Sequence, residues 1–140
     1  VVLERFVAER VIERWAPDHE RTLRQIVEEM RRAAGQRNLQ QVYELDYRYH
    51  LLLWQIADHS LLLEVISSLR TRINRFLYEA NSALTSSQLE MHIDSHDDLI
   101  DVLNSGDAAL AQSTFMQHVL GAKERILTYC NLPEADGHNG

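Results

Sequence analysis

The chain is acidic and has the length of a single domain. It has 140 residues, of which 45% are hydrophobic and 25% charged, as in an ordinary globular protein. A formal net charge of −7 argues against direct binding to nucleic acid or to an acidic membrane surface, because phosphate groups need a basic partner. The single cysteine, Cys130, excludes an internal disulfide and favours a reducing compartment. No stretch approaches the roughly 20 apolar residues of a membrane span, and we therefore expect a cytoplasmic domain.

Helical periodicity extends along almost the whole chain. Apolar residues recur three and four positions apart, and no stretch alternates for long with the period of two that marks a strand. The pattern predicts an all-α protein, an antiparallel bundle with short loops. The predicted helices cover about residues 1–15, the segment from Pro17 to Gly35, and about residues 38–58, 60–84, 87–106 and 108–129. We expect the tail after Pro133 to be disordered.

Local signals place the starts and the inward faces of these helices. Ser87 and Glu90 have the spacing of a capping box for the fifth helix, and Asp107 is placed to cap the sixth. The apolar residues of the fourth helix are predicted to face the core as one stripe. They are Leu62, Val65, Ile66, Leu69, Ile73, Phe76, Leu77 and Ala80. In the first helix the predicted inward residues are Leu3, Phe6, Val7 and Val11.

Three of the seven histidines lie on apolar helix faces. His50 follows Asp46 by four residues, so the two share one face of the third helix. His96 and His118 lie on the apolar stripes of the fifth and sixth helices. A single histidine on such a face is usually a core residue with one hydrogen bond. His92 is a possible substitute ligand, although its position favours a partly exposed polar residue; His19, His59 and His138 are expected to be solvated.

One carboxylate and three imidazoles at the centre of a bundle would be satisfied together by a divalent cation. The donor set suits zinc first, with nickel, manganese or iron as alternatives, and does not suit calcium. Octahedral coordination would leave two positions for water or for a ligand carboxylate. Arg72 is predicted to interrupt the apolar stripe of the fourth helix, and a buried guanidinium there could bind that carboxylate. The alternative is that Arg72 extends to the surface or pairs with a glutamate.

These segments together resemble a known family, the FCD effector-binding domain of the FadR subgroup of GntR-type bacterial transcription regulators. The resemblance rests on Asp46-Tyr-Arg-Tyr-His50, on His96-Asp-Asp-Leu-Ile100, and on Gly106-Asp107 with Ala111 and His118. It spans the chain from the first helix to about residue 129, and the order and the 22-residue spacing from His96 to His118 make it specific. The chain departs from the family pattern at Ser95, where glutamate is usual, and at residues 58–60, where an Asn-Pro turn is common.

The resemblance implies an antiparallel bundle of six to seven helices in residues 1–130, with a tail at 131–140. It further implies a divalent metal held by Asp46, His50, His96 and His118, a small carboxylate effector, and a homodimer. Operator DNA would be bound by an N-terminal winged helix-turn-helix domain, which nothing in this sequence matches. Effector binding at the metal and Arg72 would then reposition helices, notably the first and fourth, and change the spacing of two DNA-binding domains.

Two other interpretations remain open at the level of sequence. A mononuclear metal-dependent hydrolase of helical-bundle fold could use the same ligands to activate water. No His-Glu-x-x-His motif or paired Glu-x-x-His motif supports it, and a free general base is missing. A metal-free interaction module with structural histidines is the other alternative, and metal analysis separates it from the regulator.

Overall fold

The computed structural model describes residues 2–129, except the side chains of residues 2–5, 119, 122, 123, 125, 126 and 129. These residues form six helices: α1 (Val2–Arg14), α2 (Pro17–Gly35), α3 (Leu39–Ala57), α4 (Ser60–Ser82), α5 (Ser86–Ser105) and α6 (Ala108–Tyr129). The all-α prediction is confirmed, with boundaries within a few residues of those expected. Cys130, His138, the tail and the inward position of Leu3 lie outside the described part.

The helices pack as a bundle in which α3 lies against α1, α2 and α4. Helix α6 packs on α1, α4 and α5, and α5 also packs on α2. The core is a continuous cluster of aliphatic side chains that includes Leu23, Val27, Leu53 and Leu99. Within residues 2–129, none of the helices combines the length and apolarity that crossing a membrane requires. The four helices that surround the histidine cluster are α3, α4, α5 and α6.

Two arginines of α2 form ion pairs with aspartates of α5 and so align the two helices. Arg24 donates to Asp97 at 2.9 Å and to Asp101 at 2.5 Å, while Arg31 binds Asp94 and also reaches Asp97. Burial alone would raise the pKa of the Asp97 carboxyl, but the hydrogen bonds from Arg31 and Arg24 outweigh it and hold this pKa below its usual value. Asp97 adjoins His96, so this network fixes the orientation of α5 at the site.

Residues in the loops end one helix and cap the next. Asp58 ends α3 in the left-handed conformation with φ of 49°, and the next residue, His59, caps α4 by accepting from the amide of Leu62 at 3.1 Å. The predicted capping box at Ser87 is wrong by two residues, because Thr85 and Gln88 form it. Asp107 accepts from the amide of Leu110 at 3.1 Å, so its predicted capping role is confirmed.

The inward stripe predicted for α4 is only partly correct. Leu62, Leu77 and Ala80 are buried, whereas four residues of the predicted or neighbouring apolar rows are exposed. Their exposed fractions are Leu61 64%, Val65 41%, Leu69 50% and Ile73 40%. Phe6 of α1, also predicted to be buried, is 40% exposed. Apolar residues surround more than half of α4, and periodicity alone cannot tell which side meets the bundle.

Candidate metal centre

Asp46 is the centre of the cluster, and His50 stands one turn after it on α3. The His50 Nε2 atom lies 3.1 Å from Asp46 Oδ1, and both side chains are withdrawn from solvent. Helix α3 holds this pair rigidly because Val42, Leu45 and Leu53 anchor its inner face in the core. The i, i+4 geometry predicted from the sequence therefore brings the carboxylate and the imidazole together.

Helix α5 contributes two imidazoles. His96 is fully buried, with Nε2 at 2.8 Å from Asp46 Oδ1, and Tyr49 donates to the His96 carbonyl oxygen at 2.8 Å. One turn earlier, the Nε2 of His92 lies 3.4 Å from Asp46 Oδ2. The expectation that His92 is partly exposed is wrong, since it is 7% exposed and faces the same carboxylate.

Helix α6 brings His118 to the opposite side of His50. The two Nε2 atoms are 3.2 Å apart, and the Ser95 hydroxyl lies 3.4 Å from His118 Nδ1. The same hydroxyl donates to the His92 carbonyl oxygen at 2.5 Å. Ser95, at the position where the family pattern has glutamate, thus adjoins one proposed ligand and is positioned to affect its orientation.

The four predicted ligands, with His92, form two overlapping sets of converging donor atoms. One set is His50, His96 and His118, and the other is Asp46, His92 and His96; within each, the donor atoms lie within 4.8 Å of one another. The four residues predicted as ligands therefore lie close together, and His92, predicted only as a substitute ligand, lies among them.

Hydrogen-bond chemistry at the cluster fits a cation. The Nδ1 of His96 lies 2.9 Å from the His92 carbonyl oxygen, a contact that only a ring N–H can make favourable. In a neutral His96 ring, Nε2 is then a lone pair facing the Asp46 carboxylate. One divalent cation would resolve this conflict, because both facing atoms would become ligands.

Ionisation also favours ligation. Burial tends to raise the pKa of Asp46, but the electrostatic interaction with the His96 ring and hydrogen bonds from His50 and His92 outweigh it and hold this pKa well below its usual value. Burial lowers the pKa of His50 to about 4, against the opposing effect of Asp46. Burial and the neighbouring His96 and His50 lower the pKa of His118 well below its usual value. At pH 7 Asp46 is therefore anionic and these two rings are neutral, as metal ligands must be.

The arginine beside the cluster is Arg70. Its guanidinium lies 3.9 Å from Asp46 Oδ2 and 5.8 Å from the centre of the Tyr47 ring, and its side chain is 12% exposed. The prediction that Arg72 points inward is wrong, because Arg72 is exposed on the outer side of α4. A step of two residues turns by about 200° around a helix axis, so Arg70 and Arg72 point to nearly opposite sides of α4. The prediction took the outer apolar row for the inner one and therefore selected the wrong arginine.

A cleft of about 430 Å³ opens between α5 and α6 and reaches the cluster. His92, Ser95 and His118 line its inner end, while Gln88 and Gln117 line its sides. The cleft connects His92 and His118 to solvent, whereas Asp46 and His96 are buried behind them.

The chain matches the model of the FCD domain over residues 1–121. It belongs to the FCD domain family. The family predicted from the sequence is thereby confirmed, and this family match does not favour the hydrolase alternative.

Relatives of this FCD domain are bacterial regulators. The HTH-type transcriptional repressor RspR of Escherichia coli strain K12 is 29% identical over 104 residues, which cover 74% of this chain and 45% of the repressor. The uncharacterized HTH-type transcriptional regulator YdfH of Shigella flexneri matches to the same extent. The chain thus spans less than half the length of these curated relatives. The solved structure of E. coli McbR/YncC superposes with a TM-score of 0.81 at 17% identity, covering 90% of this chain and 63% of that one. This similarity shows a shared fold.

Sequence reasoning missed Arg70, and it ranked His92 only as a substitute for the four predicted ligands. His92 precedes His96 by one turn, and the i, i+4 rule used for Asp46 and His50 would have paired these two as well. For Arg70 the usable signal is its spacing of four residues from Ile66 and Asn74, which marks a second inward row on α4.

Proposed function

We propose that this FCD domain is the metal- and effector-binding half of a cytoplasmic transcription regulator. In this proposal a divalent transition metal, zinc first, is held by Asp46, His50, His96 and His118, with His92 as an adjoining donor. A small organic acid bound there would control operator binding by a winged helix-turn-helix domain outside this chain. The observation that carries the proposal is the convergence of one carboxylate and four imidazoles at a largely buried point of the bundle, with His50 and His118 neutral at pH 7.

The effector is proposed to be an anion because of the charges around the cluster. Asp46 supplies one negative charge, which a divalent cation and Arg70 together exceed. A carboxylate reaching this site would be drawn to both cations, and the planar guanidinium of Arg70 could donate two parallel hydrogen bonds to it. The metal supplies a Lewis-acidic position for a carboxylate oxygen, and the protein supplies orientation.

Replacing Arg70 with alanine tests the effector site. We expect the metal-loaded domain to bind a carboxylate from a panel of lactate, propionate, gluconate and hexanoate, and Arg70→Ala to weaken that binding by roughly 10- to 100-fold, since hydrogen bonds to a charged group contribute about 1.5–3 kcal/mol. Isothermal titration calorimetry measures the affinity, and elemental analysis checks that the variant retains its metal.

Arg72→Ala is the matched control, because it removes the same side chain from the outer face of the same helix. We expect its carboxylate affinity to equal that of the parent. Equal losses in the two variants would show a general charge effect, and no binding by any acid of the panel to metal-loaded protein would contradict the proposed function.

The proposal includes a homodimer, and the outer face of α4 is the surface we assign to it. Leu61, Val65, Leu69 and Ile73 follow one another at intervals of four residues, and each is 40–64% exposed. Isolated exposed apolar residues are common in monomers, but a continuous row of four on one helix marks an interface.

Charge complementarity favours a second copy as the occupant. If two α4 helices pack antiparallel about a two-fold axis at Leu69, Val65 of one copy faces Ile73 of the other. The same axis brings Glu64 of one copy beside Arg75 of the other, twice, as a self-complementary interface requires. Glu64 makes no ion pair within the described part of its own chain. Arg75 pairs with Glu79 of its own helix at 3.1 Å, but its side chain is 85% exposed and has further N–H groups for Glu64 of the second copy.

Leu69→Glu should convert the dimer to a monomer. The substitution places two carboxylates against each other near the axis, and like charges brought together in this way cost several kcal/mol, which corresponds to a more than 100-fold weaker dimer. Sedimentation equilibrium measures the change. Met91→Glu is the control, since Met91 is 71% exposed on α5, away from the row. A Leu69→Glu protein that remained dimeric would assign the interface to another surface.

A further inference from the structure

The cleft between α5 and α6 is open to solvent and has an acidic wall. Asp98, an exposed residue of α5, lines this cavity of about 430 Å³. The described residues that line the cleft include no lysine or arginine. Besides two histidines, its other polar side chains are neutral amides and hydroxyls. Such a cleft attracts cations and repels anions, because its low-dielectric walls strengthen the field of the carboxylate.

Asp98 differs from the neighbouring aspartates of α5. Asp94, Asp97 and Asp101 form ion pairs with arginines of α2. Asp98 instead lines the cleft together with Thr114 of α6. Within the described part of the chain Asp98 makes no ion pair of its own. Its carboxylate is therefore available to a cation that arrives from solvent.

His92 belongs both to the cleft wall and to the metal centre. It lies six residues before Asp98, about 9 Å along the axis of α5, with Ser95 halfway between them. At the inner side of the wall, His92 Nε2 lies 3.4 Å from Asp46 Oδ2. These two residues form one of the two converging donor sets together with His96. A cation in the cleft therefore meets a donor of this set before it reaches the buried carboxylate.

The two oxygens of Asp46 face different donors. Oδ2 faces His92 at 3.4 Å, whereas Oδ1 faces His50 at 3.1 Å and His96 at 2.8 Å. Arg70 lies 3.9 Å from Oδ2, so its positive charge opposes a cation that stays on this side. A cation that arrives at Oδ2 is therefore stabilised by moving on to Oδ1 and the imidazoles beside it.

We propose that the cleft is the entry path of the metal ion, in which Asp98 attracts the hydrated cation and His92 passes it to Asp46. This inference rests on the proposed function, since it describes how the same site acquires its metal. His92 is then a transfer ligand, which binds the ion on its way in and out and does not belong to the final site. This role accounts for a fifth donor beside a site of four ligands.

Rates of zinc uptake and release test the role of Asp98. Asp98→Asn keeps the shape of the side chain and removes its charge. We expect uptake by the metal-stripped protein and release to excess chelator both to be about 10-fold slower, since acidic clefts accelerate the arrival of cations by at least this factor. The dissociation constant should equal that of the parent, because the ion crosses the same barrier in both directions. Stopped-flow fluorescence with a zinc indicator measures both rates.

Glu90→Gln is the matched control. It also removes one carboxylate charge from the exposed surface of α5, but Glu90 does not line the cleft. Uptake and release should keep their parental rates in this variant, because the charge that it removes lies off the path.

His92→Gln distinguishes a transfer ligand from a permanent one. Loss of a transfer ligand slows uptake and release together, whereas loss of a permanent ligand speeds release and raises the dissociation constant. We expect both rates to fall by a factor similar to that for Asp98→Asn, with the parental dissociation constant. The unfolding temperature of the metal-stripped variant checks that it retains the fold, and Asp98→Asn, at an exposed position, tests the path independently.

The outcomes separate the inference from the proposal beneath it. Faster release from His92→Gln would overturn the transfer role by making His92 a ligand of the final site. Parental rates in Asp98→Asn, or equal slowing in Glu90→Gln, would overturn the entry path and leave the metal site standing. No zinc uptake by the parent would overturn the proposed function and the inference together.

Discussion

We expect the double variant Asp46→Ala, His96→Ala to lose its metal. The two side chains are in contact at 2.8 Å, and His96 belongs to both converging donor sets and Asp46 to one of them, so removing both leaves neither set complete. Replacing a residue that only orients a metal ligand typically weakens metal binding by about 10- to 100-fold, and loss of two ligands should exceed this range. Elemental analysis of purified protein should give about one transition metal per chain for the parent and less than about one tenth of that for the variant.

Glu44→Ala is the control for this experiment. It also removes a carboxylate from α3, but one that is exposed and accepts a hydrogen bond from Gln40 at 3.1 Å. Its metal content should equal that of the parent. A parent that binds no metal, even after incubation with zinc, nickel and manganese, would show that the histidines are structural and return the metal-free interpretation to first place.

Acidification should destabilise the metal-stripped domain steeply between pH 6.5 and 4. The pKa of His50 is lowered to about 4 in the fold, and that of His118 is lowered well below its usual value. Above pH 6.5 both rings are neutral in the folded and in the unfolded chain, so they do not make the free energy of unfolding depend on pH. As the pH falls below 6.5 the unfolded chain binds protons that the folded chain does not, so the free energy of unfolding decreases, by up to about 1.4 kcal/mol per pH unit for each ring.

Asp46 acts in the same direction at lower pH, because its pKa is depressed and its contribution is lost only as the carboxylate is protonated. Urea unfolding at several pH values measures the slope of the free energy of unfolding against pH. A His118→Gln variant should show about half of this slope, since one of the two rings with a lowered pKa is gone. A parent whose stability does not change between pH 7 and 5 would mean that these rings accept protons in the folded state.

The helices were predictable because their signals are local. Pro17 and Gly35 bound α2, and Asp107 caps α6, each through chemistry that the neighbouring residues determine. The face of α4 was not predictable, because apolar side chains occupy both the inner row and the outer one. If the outer row covers a second copy, as proposed, both rows are apolar for good reason and a single sequence gives no criterion for ranking them.

The site was predictable to the extent that it depends on helix periodicity. Asp46 and His50 share a turn, and His96 and His118 each interrupt an apolar stripe, so their inward direction could be inferred. Their meeting at one point depends on how α3, α5 and α6 pack, which periodicity does not determine. The position of Arg70 depends on the rotation of α4 about its own axis, and for this reason the effector side of the site required the structure.

The proposed ligands are distributed unequally over the helices, and this affects how the domain opens. Metal coordination would join His50 to His118, 68 residues apart, and Asp46 to His96, 50 residues apart, which closes two long loops of the chain. Helix α4 lies inside both loops but supplies none of these ligands. It can therefore unfold locally while α3, α5 and α6 stay cross-linked, and its amide hydrogens would exchange with solvent before theirs. The part of the domain that holds the effector and the partner subunit would then be its least protected helix.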